Sequence, residues 1–159
     1  MQAPESTTLT PRCLNQPITG SFKVRCKMKA NFTLSNYASC GLFVQNTGNS
    51  RGLFIGYKYA NSSSFEAFQA TFPSTWGGSI SGGIFSIQGG YFTQYKYFEI
   101  EVDATSVYLR SSADGCTWDT NAEELKSSFI IDVDRVGLFS SSENNNTVTG
   151  IFEWFRRIS

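Results

Sequence analysis

The chain has 159 residues, enough for one buried core. Its 14 Phe, 7 Tyr, 3 Trp and 14 Gly against 2 Met favour strands and turns over helices. Thirteen Lys plus Arg balance 13 Asp plus Glu, so no bulk charge draws it to nucleic acid or an anionic membrane, and the lack of histidine excludes Ser-His, Cys-His and His-ligated zinc chemistry. No apolar run reaches the roughly 20 residues of a membrane span, and residues 1–10 are polar, without the apolar centre of a signal peptide. Membrane insertion and a cofactor are therefore not expected.

A polar segment, 1–9, opens what reads as one domain over 1–159. Residues 21–30 (SFKVRCKMKA) alternate strictly, predicting a strand with Phe22, Val24, Cys26 and Met28 inward and Lys23, Arg25, Lys27 and Lys29 outward. The four cations recur about every 7 Å along one face. Such a row suits phosphates or acidic glycans; the alternative is a solvated face opposite a neighbouring acidic strand. Residues 40–46 and 51–60 flank a Thr-Gly-Asn-Ser turn and read as a hairpin, and 65–72 reads as another strand. Residues 73–90 carry three Gly pairs and no charge, which fits either a short strand between turns or a loop folded over one sheet around Trp76.

Residues 96–112 form two alternating, half-buried strands joined at Ala104-Thr105. The following Ser112-Ala113-Asp114-Gly115-Cys116-Thr117-Trp118 predicts a tight turn, with Ser112 and Asp114 hydrogen-bonding the turn backbone and Trp118 folding back over the hairpin. Residues 121–128 have helical character, with Asn121 as N-cap and Glu123 and Glu124 in the first turn. Strands over 133–140 and 150–158 complete the domain.

Glu99, Glu101 and Asp103 share one strand face, a spacing that β-sandwich glycosidases use for their carboxylates. Here the order of acid types is inverted relative to the glucanase Glu-x-Asp-x-Glu pattern, so the stripe is read as solvated sheet surface and no catalytic residue is assigned. The four cysteines, Cys13, Cys26, Cys40 and Cys116, lack CxxC spacing and read as reduced structural thiols, with a Cys13–Cys26 or Cys13–Cys40 bridge as the alternative. Asp114, Asp119, Asp132 and Asp134 offer oxygens but no calcium loop, so no metal site is expected.

The Ser-x-Asp-Gly-x-x-Trp turn after a Phe-Glu-Ile-Glu strand, then Val136-Gly137-Leu138-Phe139 and Phe152-Glu153-Trp154-Phe155-Arg156, resembles the concanavalin A-like lectin/glucanase superfamily. Within it the chain is most similar to the small non-catalytic jelly-roll domains of bacterial and phage surface proteins, over residues 10–158. The resemblance implies an all-β fold: a two-sheet antiparallel jelly-roll β-sandwich of roughly ten to fourteen strands with at most one short helix. It implies a recognition or adhesion module rather than an enzyme, binding a glycan or a protein surface within a larger extracellular or virion assembly. The alternatives are a purely structural virion component, such as a capsid-decoration or tail-fibre protein, and a glycoside hydrolase using Glu99 with Glu101 or Asp103. Expected partners are a glycan, a protein surface, a second copy of the chain or a virion protein. By residue type, Tyr57, Tyr59, Asn61, Trp76, Tyr91 and Tyr95 are the candidate ligand contacts.

Overall fold

The computed structural model describes residues 2–3, 12–32, 38–59, 63–71, 80–88, 93–142 and 148–158. They form twelve strands: β1 (Gln2–Ala3), β2 (Arg12–Pro17), β3 (Phe22–Phe32), β4 (Ala38–Asn46), β5 (Arg51–Tyr59), β6 (Ser63–Thr71), β7 (Ile80–Gln88), β8 (Lys96–Val102), β9 (Ser106–Ser112), β10 (Asp119–Leu125), β11 (Arg135–Ser142) and β12 (Val148–Ile158). They pair into two six-stranded sheets, in the orders β1-β12-β3-β8-β9-β10 and β2-β11-β4-β5-β6-β7. Every pairing is antiparallel, and the result is a jelly-roll β-sandwich.

The core follows from period 2. On β3 the residues Phe22, Val24, Cys26, Met28 and Ala30 are buried while Lys23, Arg25, Lys27 and Lys29 are only partly covered, so one face of the first sheet turns inward. Phe98, Ile100 and Val102 on β8 and Val107 and Leu109 on β9 extend that face. Leu42, Val44, Leu53, Ile55 and Val136 of the second sheet meet it from the other side. Each fully buried Leu, Ile or Phe contributes about 1.5–3 kcal/mol. Tyr57 and Phe98 link the sheets by an edge-on ring contact with centroids 5.4 Å apart, and the Tyr57 hydroxyl donates to the Gln94 carbonyl at 2.9 Å. Cys26 and Cys40 are wholly buried, and burial raises both thiols far above their ordinary range, so they pack as small hydrophobes. All four cysteines are free thiols.

Alternation on β4 breaks down because both of its faces are covered. Phe43 and Phe54 pair across β4 and β5 on the face turned away from the core, and they stack at 5.6 Å. Phe139 of β11 sits opposite Gly41 and meets Phe54 edge-on at 4.9 Å. All three rings are at most 2% exposed. Gly41 faces Gly56 at such close quarters that a Cβ on Gly41 would lie 2.1 Å from the Ile55 carbonyl oxygen.

Residues 121–128 do not form the expected helix; no helix occurs among the described residues. Residues 119–125 instead form edge strand β10, paired with β9 through a bulge between Thr120 and Ala122. A helix of so few residues is marginal by itself. The open edge of β9 offers backbone partners, Ala122 is buried in the core, and Ser106 Oγ donates to the Glu123 carboxylate at 2.9 Å. Residues 80–88 of the glycine-rich stretch are a full strand, β7, and 73–79 lie outside the described residues. Of the polar segment 1–9, Gln2 and Ala3 pair with Thr149 and Val148.

The Gly41–Gly56 approach leaves no room for a methyl group, and the obstructing atoms are backbone. Gly41→Ala is expected to destabilise the fold by about 3 kcal/mol, the upper end of overpacking costs, read as a lower urea midpoint at unchanged slope.

Candidate functional site

The outward face of the first sheet carries a dense array of charged and aromatic side chains. Antiparallel register sets it in rows across β12, β3, β8 and β9: Trp154, Lys27, Tyr97 and Ser112; then Arg156, Arg25, Glu99 and Arg110; then Ile158, Lys23, Glu101 and Tyr108. The row pattern depends on one irregularity. Between Phe152 and Trp154 the register of β12 shifts by a residue, so Phe152 and Phe155 both pack against the core while Trp154 comes opposite Lys27 on the outer face.

The middle row is built around Glu99. Arg25 Nε donates to its Oε2 at 2.5 Å and Arg110 donates to its Oε1 at 2.7 Å. Arg110 also donates to Glu101 and, from Nε, to Thr120 Oγ1 at 3.1 Å. Lys23 pairs with Glu101 at 3.3 Å. Trp118 lies 4.4 Å from the Arg25 guanidinium and roofs the cluster. Glu99 is consequently only 1% exposed, which corrects the reading of this stripe as solvated surface: two guanidinium groups and an indole replace the water. Burial pushes the Glu101 carboxyl up, but hydrogen bonds and charge from Arg110 and Lys23 outweigh it and hold the group below its ordinary range. A glycosidase acid needs a raised pKa and access to the glycosidic oxygen. Glu99 is closed to such an oxygen by its burial, and the Glu101 carboxyl is held low rather than raised.

The Ser112–Trp118 turn positions that roof. Ser112 Oγ accepts from the Asp114 and Gly115 amides, at 3.3 and 2.8 Å, and Asp114 Oδ1 accepts from the Cys116 and Thr117 amides, each at 2.8 Å. Those amides, with the Ser112 hydroxyl, hold the Asp114 carboxyl down at about 2. Gly115 has φ of +79°, and a Cβ there would lie 2.8 Å from the Tyr97 ring. Asp103 closes the preceding hairpin by accepting from the Thr105 and Ser106 amides, each at 2.7 Å.

Two parts of the face stay open. At one end Tyr95 is 38% exposed, with Lys27 and Lys29 Nζ 5.0 and 4.9 Å from its ring centre. Beside it Tyr97 and Trp154 approach to 6.0 Å, and Arg156 covers Trp154 at 4.5 Å. At the other end Ser21, Phe22, Lys23, Arg25, Glu101, Val102, Asp103, Arg157 and Ile158 line an open cleft of about 410 Å³.

Of the three candidate ligand contacts among the described residues, Tyr95 alone lies on this face. Tyr57 is a core residue, 2% exposed, which removes it as a contact, because its side chain fills the space between the sheets. Tyr59 packs partly buried against the core and 6.2 Å from Phe32. Asn61, Trp76 and Tyr91 lie outside the described residues. Tyr97 and Trp154 are missed by a search for loop aromatics, since both are in strands; the signal for Tyr97 was its place on the polar side of β8.

The sandwich is the concanavalin A-like fold. No protein-family profile matches the chain, and no curated protein matches it in sequence. Among solved structures, a functionally unknown protein from Saccharomyces cerevisiae aligns with a TM-score of 0.71 at 12% identity, over 100% of this chain and 86% of its own. A legume lectin-like domain from Entamoeba histolytica aligns at 0.59 and 7% identity, over 99% and 82%. The GH43 protein BlXynB from Bacillus licheniformis aligns at 0.61 and 12% identity, over 86% of this chain and 27% of its own. The architecture is thus one shared by lectin-like and glycoside-hydrolase proteins.

Two outcomes follow from the geometry. Glu99→Ala leaves Arg25 and Arg110 partly buried without their shared counterion and is expected to cost about 3–5 kcal/mol, measured by chemical denaturation. Because the folded Asp114 carboxyl titrates near 2 and the unfolded one near 3.8, its contribution is complete above pH 4 and fades as pH falls towards 2. Asp114→Asn is therefore expected to flatten the acid limb of a stability–pH profile in that window, with little change in its slope above pH 5.

Proposed function

We propose that the protein is a non-catalytic recognition module that binds a glycan on the outward face of its first sheet, with Tyr95, Tyr97 and Trp154 as the stacking platform. The observation that carries this reading is the division of labour on that face. Its central carboxylates are consumed by Arg25, Arg110 and Lys23, while its aromatic end remains accessible. Rings on a flat sheet suit the apolar face of a pyranose, and neighbouring lysines supply donors for its hydroxyls. Lys27 and Lys29 now lie over Tyr95, but an exposed cation–ring contact is worth only about 0.5–1 kcal/mol, so a sugar can displace them. Lectin-like and glycoside-hydrolase-like neighbours make a carbohydrate ligand the natural choice for this fold. The working context is an extracellular or virion surface, where adhesion through a larger assembly suits a module of this size.

A glycan array followed by titration of the leading hits tests this. Tyr95→Ala and Trp154→Ala are each expected to weaken binding roughly threefold to tenfold while leaving the unfolding midpoint nearly unchanged for Tyr95→Ala. Binding that both variants leave intact removes the platform. Hydrolysis of any glycan on the array, retained by the purified protein, overturns the non-catalytic assignment.

A further inference from the structure

Strand β12 pairs with β3 from Val148 to Ile158, but on its other side β1 meets it only at Val148 and Thr149. Among the described residues, no strand lies beside the outer edge of residues 151–158. None of these residues is buried, and the inward rings of Phe152 and Phe155, which pack against the core, are only half-buried. Backbone N–H and C=O groups beside half-covered rings form a template for one more strand. The opposite edge of the same sheet is guarded. There β10 is bulged and carries Asp119, Glu123 and Glu124 with no cation, so a second copy of it would meet only like charge.

The edge of β12 carries both signs, in an order that complements itself on reversal. The bulge sets Glu153 and Trp154 together opposite Lys27, so the two count as one outward position. Ile151, Arg156 and Ile158 are the other outward positions, and Phe152, Phe155 and Arg157 are the inward ones. In an antiparallel pair of identical strands, a two-fold axis at Phe155 brings Ile151 opposite Ile158, Phe152 opposite Arg157, and Glu153 with Trp154 opposite Arg156, each within one face. Apolar side chains meet, carboxylate meets guanidinium, and guanidinium meets a ring. Moving the axis to either neighbouring outward position sets Glu153 against Glu153 or Arg156 against Arg156, so the charges select one register. We propose that β12 is a self-association surface, through which two copies of the chain pair antiparallel over residues 151–158 and join their first sheets into one continuous sheet. The outward faces of both copies then lie on the same side, with the two Trp154 rings flanking the axis. This pairing stands whether or not that face binds a glycan.

Sedimentation equilibrium of the full chain from about 1 to about 500 µM tests this. A single strand pair buries less than a standard interface, so a reversible dimer with a Kd of about 10–100 µM is expected. Arg156→Glu sets carboxylate against carboxylate on both sides of the axis, and Glu153→Arg sets guanidinium against guanidinium. Each is expected to raise the Kd about tenfold or more, with the unfolding midpoint at about 1 µM chain unchanged. The double variant Glu153→Arg/Arg156→Glu restores opposite charges across the axis and is expected to return the Kd to within about threefold of the native value. A chain that stays monomeric throughout this range leaves the edge to a strand of another protein and overturns the proposal. A dimer indifferent to both single reversals forms through another surface, and reversals that the double variant does not rescue exclude antiparallel self-pairing. Association that continues past the dimer marks a head-to-tail contact, and each of these outcomes also overturns it.

Discussion

Glu99 sits in the middle of a sheet's outward face with almost no contact with water, held between the guanidinium groups of Arg25 and Arg110 and capped by Trp118. A carboxylate in that position is costly unless its oxygens are fully met, and here one strand on each side supplies a guanidinium. The arrangement ties β3, β8 and β9 in a single register. A slip of one residue would place Glu99 among Phe98-type core positions and leave both arginines without a counterion. The Ser112–Trp118 turn belongs to the same device, because its geometry delivers the indole over Arg25.

Central ion pairing also shapes what the face can do. Glu99 and Glu101 are committed to neighbouring cations, and the proposed recognition role therefore falls to the aromatic end. The aromatic end offers ring surface with Lys27 and Lys29 above Tyr95. Exposed pairs such as Lys27 with Glu153 contribute little stability, typically below about 1 kcal/mol, so rearranging them around a ligand costs little. A rigid centre beside an adjustable aromatic end suits the proposed binding there.

Much of the sandwich was legible in the chain itself. The strict alternation of β3, β8 and β9 sorted inward from outward residues correctly, and the Ser-x-Asp-Gly turn announced its own hydrogen bonds. Residues 119–125 were not legible, since a capping Asn followed by two glutamates looks helical in isolation, and only the unpaired edge of β9 makes a strand the better solution. Tyr57 misled for a related reason: a tyrosine near a strand end suits a surface, yet its ring fills the intersheet space and its hydroxyl finds the Gln94 carbonyl. Phe43, Phe54 and Phe139 show the opposite case, where a continuous apolar run hides which face each ring covers.

Sequence alone determined the all-β class, the hairpins and the row of cations on β3, because each rests on local periodicity and turn chemistry. Tertiary structure decided that Glu99 is buried, that Trp118 covers Arg25, and that Ile158 of β12 lines one cleft with Asp103 of the β8–β9 turn. It also decided the fate of Trp154: simple alternation puts it on the same side as Phe152, and the bulge in β12 turns it to the outer face beside Tyr97. Periodicity is a property of one strand, whereas bulges, charge partners and clefts arise only when strands distant in sequence are set side by side.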